Sequence, residues 1–134
     1  MTIILSDTST SLALHDDLRW TDEAAWSRVQ QGVERSITGA LLVQIAERLN
    51  DTGRPITLAP PDDQSAWMPR ATLDQLLAWA NVPAKQLTLN LRGTTHQVLF
   101  RHQDEPVIQA DPVKFISDED GADPYLITIR LMKI

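Results

Sequence analysis

The sequence predicts a mostly β fold of the α+β class: an antiparallel β-sandwich or barrel with one short helix, at about residues 72–80, packed against it. Three observations predict this fold. Apolar residues alternate strictly with polar ones in 86–91, and in 125–134 the apolar residues Tyr125, Ile127, Ile129 and Leu131 recur at every second position. The segment 72–80 has a helical period instead. No linker or internal repeat divides the 134 residues, so we expect residues 1–134 to form a single domain.

The centre of the chain is predicted to form a strand, the helix and a hairpin. Residues 54–58 are apolar at alternate positions and follow a turn at 50–53. After the helix, the strand 86–91 turns at 92–94 and returns through 97–100.

The helix has recognisable start and stop signals. Thr72 is expected to cap its N-terminus, with Gln75 at capping-box spacing. Asn81 can take a left-handed conformation at the other end, and Pro83 prevents the helix from continuing. The apolar residues at i, i+3, i+4 and i+7 are Leu73, Leu76, Leu77 and Ala80.

Residues 34–49 fit two interpretations. At period two the segment is one long strand, and at period 3.6 it is a helix. The lead-in through Thr38 and Gly39, and the turn that leads directly to the next strand, favour a long strand. Near the amino terminus, residues 3–5 are expected to form an edge strand. The last strand should place Tyr125, Ile127, Ile129 and Leu131 on one face.

The composition excludes several classes of function. The formal net charge is −6, from 12 basic and 18 acidic residues, and the basic residues are scattered singly. This argues against sequence-independent binding to nucleic acid, which needs clustered Lys and Arg. The absence of cysteine excludes disulfides and suits a reducing cytosol. No signal peptide and no apolar run of membrane-spanning length are recognised.

No motif predicts catalysis, a cofactor or a metal site. The acidic loop 118–123 could suit calcium, but it lacks the ligand order of an EF-hand, so a solvated turn is favoured. His96 and His102 are too far apart along one strand to share a metal ion. We find no strained serine elbow, phosphate-binding glycine loop or zinc-binding helix. An enzyme is therefore not expected.

The candidate interface comprises two tryptophans and two polar loops. Large aromatic residues dominate binding hot spots, but Trp20 and Trp26 could equally cover one end of the core. The loops 59–64 and 118–124 are too rich in Pro and Asp to continue a strand and are expected to contact neighbouring proteins. The candidate residues are Trp20, Trp26, Pro60, Pro61, Asp62, Asp118, Asp120 and Asp123.

A pattern of order and spacing runs along nearly the whole chain, although no single motif in it is specific. Its segments are Trp20-Thr21-Asp22-Glu23 with Trp26, 37–41, 53–58, 72–80, 87–89, 100–102 and 125–131. This pattern resembles small tail and baseplate proteins of tailed bacteriophages and prophages. The chain is also similar to the tube-like fold of distal tail proteins.

The resemblance implies a structural virion protein of a tail tip or baseplate. Such a subunit would assemble in a ring or tube-like layer around the tail channel, with tube proteins, hub proteins and copies of itself as partners. It would be made in the host cytoplasm and would bind no membrane. DNA would pass through the channel without specific binding, since an acidic inner wall repels it.

An alternative of a different class also fits the small size and the acidic charge. The chain could be an immunity or inhibitor protein that neutralises a basic partner, because complementary charge steers association. The genes beside this one would discriminate: sheath, tube and hub genes in one case, and a toxin gene in the other.

Overall fold

The computed structural model describes residues 2–114 and 122–134, which form eleven β-strands, one α-helix and one short 3-10 helix at Leu49–Asp51. The elements are β1 Ile3–Ser6, β2 Ser11–Leu14, β3 Arg19–Trp20, β4 Val29–Arg35, β5 Leu41–Glu47, β6 Pro55–Ala59, β7 Trp67–Pro69, α1 Arg70–Ala80, β8 Leu87–Leu91, β9 Thr94–Phe100, β10 Ile108–Pro112 and β11 Pro124–Lys133.

Nine of these strands form one antiparallel sheet in the order β2-β1-β8-β9-β11-β6-β3. Strands β7 and β10 also pair with β11, which makes this ten-residue strand the centre of the sheet. Among the described strands, β4 and β5 pair only with each other. The prediction of a mostly β fold with antiparallel strands and one short helix is confirmed, and the architecture is consistent with a β-sandwich.

Strict alternation explains which residues build the core. In β11 the side chains of Tyr125, Ile127, Ile129 and Leu131 are all buried, as predicted, while those between them are half-buried. The same period-two pattern buries one face of β1, β6 and β8. These faces meet in a single apolar cluster.

The helix α1 is longer than predicted and is capped differently. It begins at Arg70, directly after Pro69, and no side chain caps its N-terminus. Thr72 is therefore not the N-cap but a buried residue of the first turn. The ion pair between Arg70 Nε and Asp74 Oδ1, at 3.0 Å, supports the added turn. Asn81 is right-handed, not left-handed, and the chain first takes a positive φ beyond it at Ala84.

Two strand predictions are wrong. Residues 34–49 form neither one strand nor a helix: β4 ends at Arg35, the chain turns, and β5 runs back from Leu41. Gly39, with φ +85, lies in this turn and takes the left-handed conformation that glycine adopts without strain. Residues 3–5 are not an edge strand, because β1 pairs with both β2 and β8; β2 lies at the end of the sheet.

The seating of α1 on the sheet generates a stability prediction. Leu76 is fully buried, whereas its neighbour Leu77 is 38% exposed. Leu76→Ala should lower the free energy of unfolding by about 2–5 kcal/mol, because it removes buried methylenes and leaves a cavity. Leu77→Ala is the matched control and should cost less than about 1 kcal/mol. Denaturant titration of both variants measures the difference; equal losses would contradict this packing.

Candidate assembly surface

The most unusual feature of the fold is a β-hairpin that stands outside the main sheet. We call residues 28–48 the arm: it contains β4, the turn 36–40 and β5. Every residue of both strands is exposed, and all seven pairs of the ladder, from Val29 with Glu47 to Arg35 with Leu41, are made within the arm. The arm is therefore a two-stranded ribbon with solvent on both faces.

The register of the arm separates its side chains into two different faces, because neighbouring residues of a strand point to opposite sides. One face, which we call the apolar face, carries Val29, Gln31, Val33, Arg35, Leu41, Val43, Ile45 and Glu47. The other, which we call the polar face, carries Gln30, Gly32, Glu34, Leu42, Gln44 and Ala46.

The apolar face exposes large aliphatic side chains that a folded chain normally buries. Val33 and Leu41 are each 54% exposed, and Ile45 is 65% exposed. Contiguous apolar patches of this kind mark sites where another molecule binds. An isolated two-stranded ribbon is also only marginally stable in water. Both properties make this face a candidate assembly surface.

The turn at the tip of the arm is held by its own polar groups. The backbone amide of Ser36 donates to the carbonyl of Ala40 at 2.9 Å, and the Ser36 hydroxyl accepts from the Ala40 amide at 3.1 Å. Arg35 donates to the carbonyl of Gly39 at 3.2 Å. Ile37, the second residue of this turn, has a fully exposed side chain. The tip is thus locally ordered and presents an apolar side chain to solvent.

The root of the arm is fixed to the body by an arginine–carboxylate pair. Arg28 donates from Nε to Asp51 Oδ1 at 2.6 Å and from a terminal nitrogen to Asp51 Oδ2 at 3.1 Å. Asp51 is buried, and the hydrogen bond from Arg28 holds the pKa of its carboxyl below the ordinary value of 3.8. A planar, two-pronged contact of this kind fixes orientation as well as distance. It sets where the arm leaves the body.

Two tryptophans and two arginines complete the root. The guanidinium of Arg48 lies 5.2 Å from the ring centre of Trp26, on which Arg54 also stacks at 5.6 Å. Arg54 lies 4.6 Å from the ring centre of Trp20, and the indole N–H of Trp20 donates to the carbonyl of Pro55 at 3.3 Å. These cation–π contacts connect the arm to β6 of the main sheet.

A cavity of about 340 Å³ lies beside this root, and its polar groups are only partly engaged. Arg92 donates to the carbonyl of Leu18 at 2.7 Å, and Arg54 donates to the carbonyl of Glu23 at 3.0 Å. His96 is buried edge-on against Trp20, and burial lowers its pKa. Two buried nitrogens of its lining, Arg54 Nε and His96 Nδ1, have no hydrogen-bond partner among the described residues.

The predicted interface residues fall into three groups. Trp20 and Trp26 lie together at the root of the arm, joined through Arg54, and both are half-buried. Pro60, Pro61 and Asp62 lie, as predicted, in a loop at the surface after β6. The side chain of Asp123 is half-buried, and its backbone carbonyl accepts from the Arg70 amide at 2.9 Å. Asp118 and Asp120 lie outside the described residues, and so does most of the acidic loop in which calcium was considered.

Sequence reasoning did not identify the arm as a candidate surface. The missed residues are those of the apolar face, above all Val33, Leu41, Val43 and Ile45. A signal was present: Ser36, Thr38 and Gly39 are turn-forming residues between two segments that each alternate. Read as a turn, they predict a hairpin with five aliphatic residues on one face.

Neither the described residues nor comparison with known proteins identifies a metal site, a membrane-spanning helix or a related protein. Within 2–114 and 122–134, no group of three or more His, Asp or Glu side chains could hold a metal ion. In the same ranges, no helix combines the length and the apolar character needed to cross a membrane. Comparison of the chain with protein-family models, with curated proteins and with solved structures gives no match in any of the three.

The Arg28–Asp51 pair generates a prediction about the arm. Asp51→Asn keeps the shape of the side chain but removes its charge, so the root should loosen. Amide hydrogen exchange at pH 7 should then become faster in β4 and β5 and stay unchanged in β8 and β11. Exposed Asp63→Asn is the control. Unchanged exchange in the arm would contradict an anchoring role.

The same pair predicts a pH dependence. Because the pKa of Asp51 lies below 3.8 in the folded protein, the ion pair contributes fully to the free energy of unfolding above about that pH. The contribution is lost as the pH falls through the lowered pKa of the folded state. Asp51→Asn should therefore lose less stability than the unaltered protein on acidification, as measured by denaturant titration at a series of pH values.

Proposed function

We propose that this protein is a structural subunit of a phage tail tip or baseplate. In this role it assembles in a ring or tube-like layer around the tail channel, with tube proteins, hub proteins and neighbouring copies as partners. It reaches the virion after synthesis in the host cytoplasm. The observation that carries the proposal is the arm, whose exposed apolar face needs a partner surface. The resemblance of the whole chain to tail and baseplate proteins supplies the kind of assembly.

The architecture suits a subunit with a rigid body that binds its neighbours through the arm and the edge of its sheet. The body has one continuous apolar core, so it folds without a partner. The arm contributes almost nothing to that core, so its sequence is free to serve contacts with other chains. Strand β2, at one end of the nine-stranded sheet, offers a further edge for assembly through backbone hydrogen bonds.

The distribution of charge favours assembly over the alternative of an inhibitor. An acidic protein that neutralises a basic partner should present acidic groups on its protruding surface. The arm instead carries three arginines and two glutamates, a formal charge of +1, within a chain of −6. Its apolar face is aliphatic. A surface of this composition gains its affinity from buried apolar area.

Particle composition tests the proposed function. The variant Val33→Thr/Val43→Thr/Ile45→Thr keeps β-branched residues, and hence strand propensity, but makes the apolar face polar. In an induced prophage that lacks the native gene, we expect the unaltered protein to restore infectious particles and to appear in purified tails. The arm variant should lower both by at least about tenfold, the effect of losing a few buried methyl groups.

Gln30→Thr/Gln44→Thr is the matched control, because it alters only the polar face of the same two strands. It should restore particles as the unaltered protein does. Purified tails that contain no copy of the chain, as judged by mass spectrometry and electron microscopy, would overturn the proposed function. A toxin gene beside this one, with a tight one-to-one complex between the two products, would favour the inhibitor instead.

A further inference from the structure

We infer that the apolar face of the arm packs against the same face of a second copy, with the two arms antiparallel and related by a two-fold axis. This inference rests on the assembly role proposed for the arm and goes further, since it names the occupant and the geometry. It makes the arm a self-complementary contact, in which residue i meets residue j and residue j meets residue i.

The charges on the apolar face carry the choice of a second copy. Arg35 lies at the tip end of this face and Glu47 at its root end, with Val33, Val43 and Ile45 between them. When two such faces pack against each other in the antiparallel orientation, the tip end of each arm lies over the root end of the other. Each Arg35 then lies at the same end of the contact as Glu47 of the other copy. Two symmetric ion pairs then border an aliphatic centre.

The opposite orientation is disfavoured by the same charges. If the two arms lay parallel, each Arg35 would lie at the end of the ribbon that carries the other Arg35, and each Glu47 at the end that carries the other Glu47. Like charges that face each other across an interface are repelled and suppress that arrangement. The apolar face is therefore complementary to itself in one direction only.

Both charged groups are available for such a contact. The guanidinium of Arg35 donates to the carbonyl of Gly39 in its own turn, and none of the ion pairs among the described residues involves it. The carboxylate of Glu47 lies 3.6 Å from Arg28, with both side chains more than half exposed. Such an exposed pair is weak and leaves the outer oxygen of Glu47 accessible.

The size of the contact predicts its strength. Seven residues at ~3.3 Å each give a ribbon of roughly 23 Å, and two strands ~4.8 Å apart give a width of about 10 Å with side chains. One face therefore covers on the order of 230 Å², far below the roughly 800 Å² per partner of a stable interface. Arm pairing is expected to be weak for the purified protein and stronger where an assembly holds two oppositely oriented copies together.

Covalent capture suits a weak contact, and the chain contains no native cysteine. In the antiparallel arrangement, position 33 of one copy faces position 31 of the other. Mixing a Gln31→Cys copy with a Val33→Cys copy under mild oxidation should give a mixed disulfide dimer. Gln30→Cys mixed with Gln44→Cys, on the polar face, is the control and should give at least about tenfold less dimer. Each single variant is checked for folding by its near-ultraviolet circular dichroism.

The competing orientation has its own signature. Parallel arms place position 33 of one copy over position 43 of the other, so a dimer formed mainly between Val33→Cys and Val43→Cys copies would overturn the antiparallel geometry. Dimers formed equally by all pairs, or by none, would overturn the pairing of arms altogether.

Charge reversal tests the pairing without cysteines. Arg35→Glu alone and Glu47→Arg alone each place like charges at both ends of the contact, so self-association in concentrated solution should fall by about tenfold, as expected for two exposed ion pairs. An equal mixture of the two variants restores opposite charges at both ends and should associate as the unaltered protein does. Failure of the mixture to associate would overturn the inference.

These results are separable from the test of the proposed function. A chain that is found in tails but shows no arm pairing would leave the virion role in place and assign the apolar face to another tail protein. A chain whose arms pair but which is absent from tails would keep the dimer and refute the virion role.

Discussion

A two-stranded ribbon with no third strand and no covering layer constrains this whole structure. Hydrophobic burial stabilises folded chains, and the arm has access to almost none of it within its own chain. The body therefore holds the arm by polar means: Arg28 against buried Asp51, and Arg48 and Arg54 stacked on Trp26. These contacts fix the position of the arm but leave its apolar face open. The partner that we propose for the arm would cover this face.

The residues at the root explain why two tryptophans lie near the surface of so small a protein. Trp20 and Trp26 had two open interpretations, as interface anchors or as the cover of one end of the core. In the structure both rings are half-buried; Arg54 stacks on each of them, and Arg48, at the end of the arm, stacks on Trp26. Their aromatic faces stabilise a guanidinium in a place where an aliphatic side chain could not.

Much of the fold could be predicted because period-two alternation is a strong local signal. The strands β8, β9 and β11 and the buried face of Tyr125 to Leu131 follow from it directly. The arm does not follow from alternation alone, because its aliphatic residues resemble those of a core strand; the turn residues at 36–40 are the signal that separates its two strands. The predicted start of the helix was also wrong. The capping signal at Thr72 lies inside α1, which begins at Arg70 after Pro69 and includes the Arg70–Asp74 ion pair in its first turns. Pairing order and exposure depend on contacts between distant residues, which local patterns do not contain.

Gly32 is a residue of the arm that the conformation of the arm does not require. It lies in the middle of β4 opposite Gln44, in ordinary extended geometry, and an added side chain would meet no atom within 4 Å. Neither backbone conformation nor crowding in its own chain requires a glycine there, and glycine weakens a strand. A sequence optimised for a stable, isolated hairpin would carry a β-branched residue at this position. Gly32 therefore lowers the intrinsic stability of the hairpin.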